Sequence, residues 1–399
     1  MTRRVVLPGS TIGIVGGGQL GRMLALEARR MDYRTLVLDP DPGAPAGQVA
    51  DGHIVAQLTD VRAARELASR SDVVTLEWEN ADLAAVRALA ELVEVHPGPH
   101  VLEVAQNRLR EKESANALGL TTAPYRRVLS IGDLRAAVAD LGTPAILKTA
   151  SGGYDGKGQV VIRDEIDAEG AFIELGGGDR ELILEGWVDF VMEVSVLCAR
   201  SRDGAMVSFP VSENIHHSGI LDVTVAPARI AETVGRAAVT AGERMAEGLD
   251  VVGLLAVELF VDREGHVLVN EIAPRPHNSG HYTWEACSVS QFEQQLRAVC
   301  GLPIQEPLLL RPAAMANLLG DHIGDGRQIA ATADALAVPM VALHLYGKAE
   351  GRIGRKMGHL TALGESADAA VSSALRAREI LTAGYLGATD SRRDVDTDQ

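Results

Sequence analysis

Lysine is the rarest charged residue of this 399-residue chain: only Lys112, Lys148, Lys157, Lys348 and Lys356. With a formal net charge of −16, the chain is a poor match for broad nucleic-acid or membrane-surface binding. Any anionic ligand must therefore be held by locally concentrated cations. Cysteine is almost as scarce: Cys198, Cys287 and Cys300 are an odd number without CxxC spacing, so neither a disulfide framework nor a zinc site is indicated. Long apolar runs are missing too, and no stretch approaches the roughly 20 residues needed to span a bilayer. Arg3 and Arg4 precede an apolar run, but Gly16-Gly17-Gly18 breaks it and no cleavage site follows, so a signal peptide is not expected. These absences describe a soluble, cytoplasmic protein, long enough for two or three domains with real cores.

The first hundred residues alternate short apolar runs (TIGIVGG, RTLVLDP, DVVTLEW) with helical patterns (LGRMLALEARRM, VRAARELASR). That rhythm predicts βαβ units and a parallel sheet, an α/β N-terminal domain over 1–108. From about residue 121, strand-like YRRVL, PAILKTA, QVVIR, ELILEGWV, VMEVSVLCAR, AMVSFPV, LLAVELFV and HVLVNEI arrive with hairpin-length connections. They imply an α+β domain with antiparallel sheets over 109–302. GLPIQEPLLLRP reads as a linker into a small β-rich domain over 303–388, and 389–399 as a disordered tail.

Gly16-Gly17-Gly18-Gln19-Leu20-Gly21 satisfies G-x-G-x-x-G between a strand and a helix, and Asp39 ends the next strand. On this segment alone a nicotinamide-dependent enzyme is a fair hypothesis. The glycines could equally permit only a tight turn, or offer the helix N-terminus to another polar ligand. A second glycine loop, Ser151 to Gln159, lies between two strands and not before a helix. That device makes a flap whose backbone N–H groups can fold over phosphates, with Lys157 adding charge. Lys148, ending a buried-looking strand, needs an anionic partner, and a phosphate would supply one. Glu185-Gly186-Trp187-Val188 offers strand-end backbone groups to an adenine edge, and Glu193 offers a carboxylate to ribose hydroxyls.

LLAVELFVD and HVLVNEI, joined by Arg263-Glu264-Gly265, read as a hairpin. A turn centred between Glu264 and Gly265 sets Glu258 directly opposite Glu271, although a bulge at Gly265 would shift that register by one. Like charges so placed are destabilising. With Asn270 beside them they form an all-oxygen set suited to magnesium, or manganese, completed by substrate phosphates. The alternative is two solvated glutamates on an exposed face. Arg275, His277, Asn278 and His281 crowd the next segment and favour a site.

GGGQLGRM, GGYDGKGQ, NEIAPRPHNSGH and YGKAEGRIGRKMGH, in that order, resemble the ATP-grasp superfamily and, within it, the N5-carboxyaminoimidazole ribonucleotide synthetase family; where that family often has Phe, this chain has Trp78. The resemblance runs from about residue 10 to about residue 380. It implies that Arg108, Lys148, the flap residues Gly153, Tyr154, Asp155, Gly156, Lys157, Gly158 and Gln159, the stretch Glu185, Gly186, Trp187 and Val188, and Glu193, His216, Asn270 and Glu271 bind ATP. Glu258 and Glu271 would hold the metal. Aminoimidazole ribonucleotide would contact Gln19, Glu77, Tyr154, Asp155 and Arg275, with its phosphate on Lys348 and Arg355. A homodimer is implied as well.

The chemistry so implied is carboxylation of aminoimidazole ribonucleotide with ATP and bicarbonate, through carboxyphosphate. Arg275 is the candidate for orienting bicarbonate, and Asn278 for positioning substrate. Either His277 or the departing phosphate would take the amine proton. Another ATP-grasp ligase, such as a formate-dependent glycinamide ribonucleotide transformylase or a biotin-carboxylase-like enzyme, is the nearest rival.

Overall fold

The computed structural model describes residues 5–153, 157–324 and 331–393. Five short strands, Thr11–Val15 (β1), Arg34–Asp39 (β2), Gly52–Val55 (β3), Val73–Leu76 (β4) and Val95–His96 (β5), form a parallel sheet in the order β3-β2-β1-β4-β5. β1 and β4 are buried almost throughout, as parallel strands covered by helices on both faces should be. Helix Gln19–Arg30 packs its apolar stripe of Leu20, Met23, Leu24 and Ala28 against one face. Helices Val61–Ser69 and Leu83–Ala90, N-capped by the Asp60 and Asp82 side chains, cover the other.

Beyond residue 120 the sheets turn antiparallel. A small one is built from Tyr125–Val128 (β6), Ala145–Thr149 (β7), Gln159–Ile162 (β8) and Leu182–Gly186 (β9), in the order β6-β9-β7-β8. The large one begins with Phe190–Arg200 (β10), Met206–Ser208 (β11), Ser212–His217 (β12), Ile220–Ala226 (β13), Gly253–Asp262 (β14) and Val267–Ala273 (β15). β12 and β13 are not among the strands expected from the sequence: SENIHH carries charge and histidine in place of alternation, and the short ILDVTVA does alternate but follows it almost directly. The sheet continues without a break into Ala313–Leu319 (β16), Val341–Leu345 (β17) and Lys356–Leu363 (β18), since β13 pairs with β16. The C-terminal strands thus extend the central sheet. Helix Ala367–Arg393 covers them and runs through the first residues of the stretch expected to be a disordered tail.

β14 and β15 form the predicted hairpin, and Glu258 does pair with Glu271, but not for the reason given by the turn. The loop has three residues closed by Asp262, with Gly265 at φ +82°, so near the turn Val261 pairs with Val267 and Leu259 with Val269. That register alone would set Glu258 opposite Asn270. A bulge at Asn270 inserts one extra residue and returns Glu271 to face Glu258. Two displacements of one residue cancel.

The left-handed Gly265 is expected to be the hairpin's most sensitive surface position. Gly265→Ala should lower stability by about 1–2 kcal/mol, because a Cβ there meets both unfavourable φ and Val234 at 3.2 Å; denaturant unfolding measures it.

Candidate active site

The face of β14 that carries Glu258 also carries Leu254 and Ala256, and it lies opposite the face packed on helix Glu232–Gly248. Across this face the pairing aligns Glu271 (β15), Glu258 (β14), Ser195 (β10) and Ser212 (β12) in one polar row. The loop after β15 closes the row on itself. Ser195 Oγ donates to Ser279 Oγ at 2.7 Å, Ser279 Oγ lies 2.8 Å from His277 Nδ1, and His277 Nε2 lies 3.1 Å from Glu258 Oε1. The three serines are buried.

Because the Ser279 backbone N–H also points at His277 Nδ1 (3.3 Å), that nitrogen accepts, and the neutral ring carries its proton on Nε2, toward Glu258. Burial first, and then the cations Arg275 and Lys356, hold the His277 pKa far below the usual histidine range. Both ring nitrogens are therefore engaged, which disfavours His277 as the proton acceptor. Gln291 clamps the same loop: its Oε1 accepts from His277 N–H and its Nε2 donates to His277 C=O, each at 2.8 Å.

Burial and the facing Glu271 raise the Glu258 pKa, while His216 and Lys356 pull it down. A nearly buried carboxylate opposed by a second one, with Asn270 adjacent, is a donor set that a divalent cation fits. A third carboxylate stands behind them. Glu111, on helix Arg108–Ala117, accepts from Ile272 N–H at 3.1 Å, and burial followed by Glu271 pushes its pKa up to about 8.

The cations expected to meet phosphate or bicarbonate are held by glutamates. Lys148 Nζ lies 2.8 Å from Glu185 Oε2, and Arg275 is paired with Glu79, its Nη2 donating to Oε1 at 2.7 Å. Burial would raise the Glu79 pKa, yet Arg275 outweighs it and the carboxyl sits below its usual range. His216 Nδ1 lies 3.1 Å from Glu193 Oε2; burial opposes the charged ring, but Glu193 prevails and raises its pKa. Arg108 donates to Gly152 C=O (2.8 Å) and Thr149 C=O (3.2 Å), which ties the base of the flap to its helix. Gly153, Lys157, Gly158 and Gln159 flank the flap tip, while Tyr154, Asp155 and Gly156 lie outside the described residues. Trp187 is half-exposed beside the strand end at Gly186, with Val188 next to it.

The first glycine turn does not hold a dinucleotide phosphate. Its N–H groups are already claimed: Gly17 donates to Asp39 (2.7 Å), and Gly18 and Gly21 donate to the buried Glu77 carboxylate (2.8 and 3.1 Å). A Cβ at Gly16 would lie 2.7 Å from Glu77, so the glycines admit this carboxylate where a pyrophosphate would otherwise sit. Gln19 opens the helix at the same turn. Asn278 makes a reciprocal amide pair with Asn317 of β16 (2.8 and 3.1 Å), a tie to the C-terminal strands that uses one donor and one acceptor site of its amide. Lys348 donates to Lys356 C=O at 2.6 Å and Arg355 to Glu350 C=O at 2.9 Å.

Several residues at the site escaped sequence reasoning: Glu79, Glu111, Lys112, Ser195, Ser279, Gln291 and Asn317. Lys356, in the YGKAEGRIGRKMGH motif, was given no role in the sequence analysis, yet its charge acts on Glu79, Glu258 and His277 alike. Buried-strand serines and a mid-helix glutamate carry no local signal. The basic run around Lys356 did.

Two antiparallel sheets, a glycine flap and a carboxylate pair on the central sheet define an ATP-grasp enzyme. Family models agree: residues 9–106 match the ribonucleotide synthetase preATP-grasp domain, 113–292 the ATP-grasp domain, and 313–373 the phosphoribosylaminoimidazole carboxylase C-terminal domain. The N5-carboxyaminoimidazole ribonucleotide synthase of Bacillus subtilis is 45% identical over 368 residues, covering 92% of this chain and 95% of that protein. A solved N5-carboxyaminoimidazole ribonucleotide synthetase in complex with ADP superposes with a TM-score of 0.89 at 45% identity, covering 95% of this chain and 98% of that one. The Aspergillus clavatus enzyme, solved with ADP and 5-aminoimidazole ribonucleotide, gives 0.85 at 32% identity, covering 93% and 98%. The chain belongs to the N5-carboxyaminoimidazole ribonucleotide synthase family, ATP-dependent ligases of purine biosynthesis. Among the described residues no helix is long and apolar enough to cross a membrane.

Glu111 supplies a pH test. Its folded pKa lies above its unfolded value, so the folded state keeps a proton that the unfolded state loses between about pH 4.5 and 8. Stability of the metal- and nucleotide-free protein should therefore fall across that window, by a few kcal/mol in order of magnitude. Glu111→Gln, which retains an acceptor for Ile272 N–H, should flatten the decline; parallel Tm-versus-pH curves for variant and wild type would refute the assignment.

Proposed function

We propose that this chain carboxylates the 5-amino group of aminoimidazole ribonucleotide with ATP and bicarbonate, releasing ADP and phosphate. The observation that carries the reading is the Glu258–Glu271 pair, opposed on the central sheet with His277 locked against Glu258. ATP lies between the two antiparallel sheets. Its adenine meets the backbone of Glu185–Val188, its ribose Glu193, and its phosphates Arg108, Lys148, His216 and the flap from Gly153 to Gln159. Glu258 and Glu271, with Asn270 beside them, hold magnesium, and manganese has the same ligand preferences. When bound, the ion screens the phosphates and polarises the group being transferred.

A bicarbonate oxygen attacks the γ-phosphorus, the bond to the β-phosphate oxygen breaks, and ADP departs. The barrier is repulsion between anions, and concentrated cations lower it. Arg275, already desolvated against Glu79, is placed to orient bicarbonate. The amine nitrogen then attacks the carboxyl carbon of carboxyphosphate, and phosphate leaves. With both nitrogens of His277 engaged, that phosphate takes the amine proton. His277 instead orients Glu258. The ribonucleotide contacts Gln19, Glu77, Tyr154 and Asp155, with Lys348 and Arg355 toward its phosphate. The protein acts in the cytoplasm as a homodimer, with domains over 1–108, 109–302 and 303–388.

Turnover decides between this reading and its rival ligases. ADP release should require aminoimidazole ribonucleotide and bicarbonate together; release with glycinamide ribonucleotide or biotin in its place would overturn the assignment. Glu271→Gln should lower kcat on the order of a thousandfold, the several kcal/mol that metal-assisted charge stabilisation supplies. Arg355→Ala should raise KM for the ribonucleotide far more than KM for ATP, and equal effects would count against a phosphate contact.

A further inference from the structure

Helix Arg108–Ala117 sends a second cation into the nucleotide site that no part of the mechanism above uses. Lys112, with 2% of its side chain exposed, places Nζ 3.2 Å from Glu185 Oε1, and Lys148 Nζ lies 2.8 Å from the other oxygen, Oε2. Three elements meet here: the helix brings Lys112, the end of β9 just before Gly186 brings Glu185, and β7 carries Lys148 on the same face, two residue pairs along. Glu185 itself is 5% exposed.

The arrangement poses an electrostatic problem. Lys148 must leave Glu185, wholly or in part, to meet a phosphate. Removing the partner of a buried carboxylate is costly, because an uncompensated charge is left in a low-dielectric surrounding. Here the departure leaves Lys112 behind on Oε1. Glu185 then stays neutralised throughout, and Lys148 can exchange a carboxylate for a phosphate with little change in the charge balance of the interior.

We propose that Lys112 is a positioning residue for nucleotide binding: it is the standing counter-ion of Glu185 that frees Lys148 to engage the phosphates of ATP. The inference rests on the nucleotide-site reading given above and adds to it a residue that touches no substrate. Lys112 sets the affinity for the phosphates and leaves adenine recognition alone, since the backbone of Glu185–Val188 is unaffected by the side-chain charge.

Calorimetric titration of the full-length protein with Mg-ATP and, separately, with adenosine provides the test. Lys112→Met is expected to weaken Mg-ATP binding by about tenfold or more, the size of effect that about 1.4 kcal/mol of retained Lys148–Glu185 pairing produces, and to leave adenosine binding within about twofold. Adding Glu185→Gln removes the charge that holds Lys148 back, so the double variant should recover Mg-ATP affinity to within about threefold of wild type. An unchanged Mg-ATP affinity in Lys112→Met, an equal loss for ATP and adenosine, or no recovery in the double variant each overturns the proposal. Should Lys112→Met fail to fold, the double variant decides alone: a tenfold loss of Mg-ATP affinity there is the refuting result. Wild-type protein that binds no Mg-ATP would overturn the nucleotide-site reading itself, whereas the variant outcomes bear on Lys112 only.

Discussion

Two carboxylates facing each other across a strand pair are the constraint around which the rest of this molecule is arranged. Like charges set directly opposite on neighbouring strands repel, and nothing in the hairpin itself offsets this. The surroundings do so piecemeal. His277 presents an N–H to Glu258, while His216 and Lys356 bring positive charge toward it. Burial nonetheless keeps Glu258 poorly satisfied as it stands, while Glu271 reaches the surface. Hydrophobic packing on the opposite face, from Val257 and Leu259 onto helix Glu232–Gly248, holds the strands in register against that repulsion. A site that is electrostatically incomplete, on a sheet that cannot move to relieve it, is a site shaped for a cation.

The same logic governs the cations. Lys148 and Arg275 are largely withdrawn from solvent, where an unpaired charge would be expensive, and each rests on a glutamate, Glu185 or Glu79. A substrate anion therefore replaces an existing partner and does not have to compensate a bare charge. That lowers the gross attraction available to the ligand, but it keeps the empty site folded. It also makes the glutamates, which touch no substrate phosphate, part of the specificity of the site: an anion must compete with them.

The sequence made the parts of this site legible and most of their partnerships obscure. Lys148 could be read as a cation in need of an anion, because its strand is apolar. That the anion is Glu185, shared with Lys112, depends on a register and a helix 37 and 36 residues away, which no local pattern encodes. The Glu258–Glu271 pairing was reached through a turn that put the register off by one, and an unsuspected bulge at Asn270 restored it. Asn278 could be read from its neighbours as a site residue, but its tie to Asn317, 39 residues on, has no local sequence signal. The first glycine motif was the most misleading signal. Its spacing is that of a phosphate-binding turn, and only the position of Glu77 at the end of β4 shows that the turn is already filled.

Continuity of the central sheet gives these local facts their functional sense. Had the C-terminal strands formed a sheet of their own, Lys348, Arg355 and Lys356 could shift relative to the carboxylates as a body. Instead β16 pairs with β13, and β18 with β16, so Lys356 sits on the same hydrogen-bonded framework as Glu258. Asn317 on β16 then reaches across to Asn278, three residues beyond Arg275, and fixes the loop that carries His277. A ribonucleotide phosphate held by Lys348 and Arg355, as proposed above, would thereby be placed at a set distance from the point where carboxyphosphate would form. Such an intermediate is open to hydrolysis, so a fixed acceptor is worth more than a tightly bound one. The rigidity of one sheet supplies it.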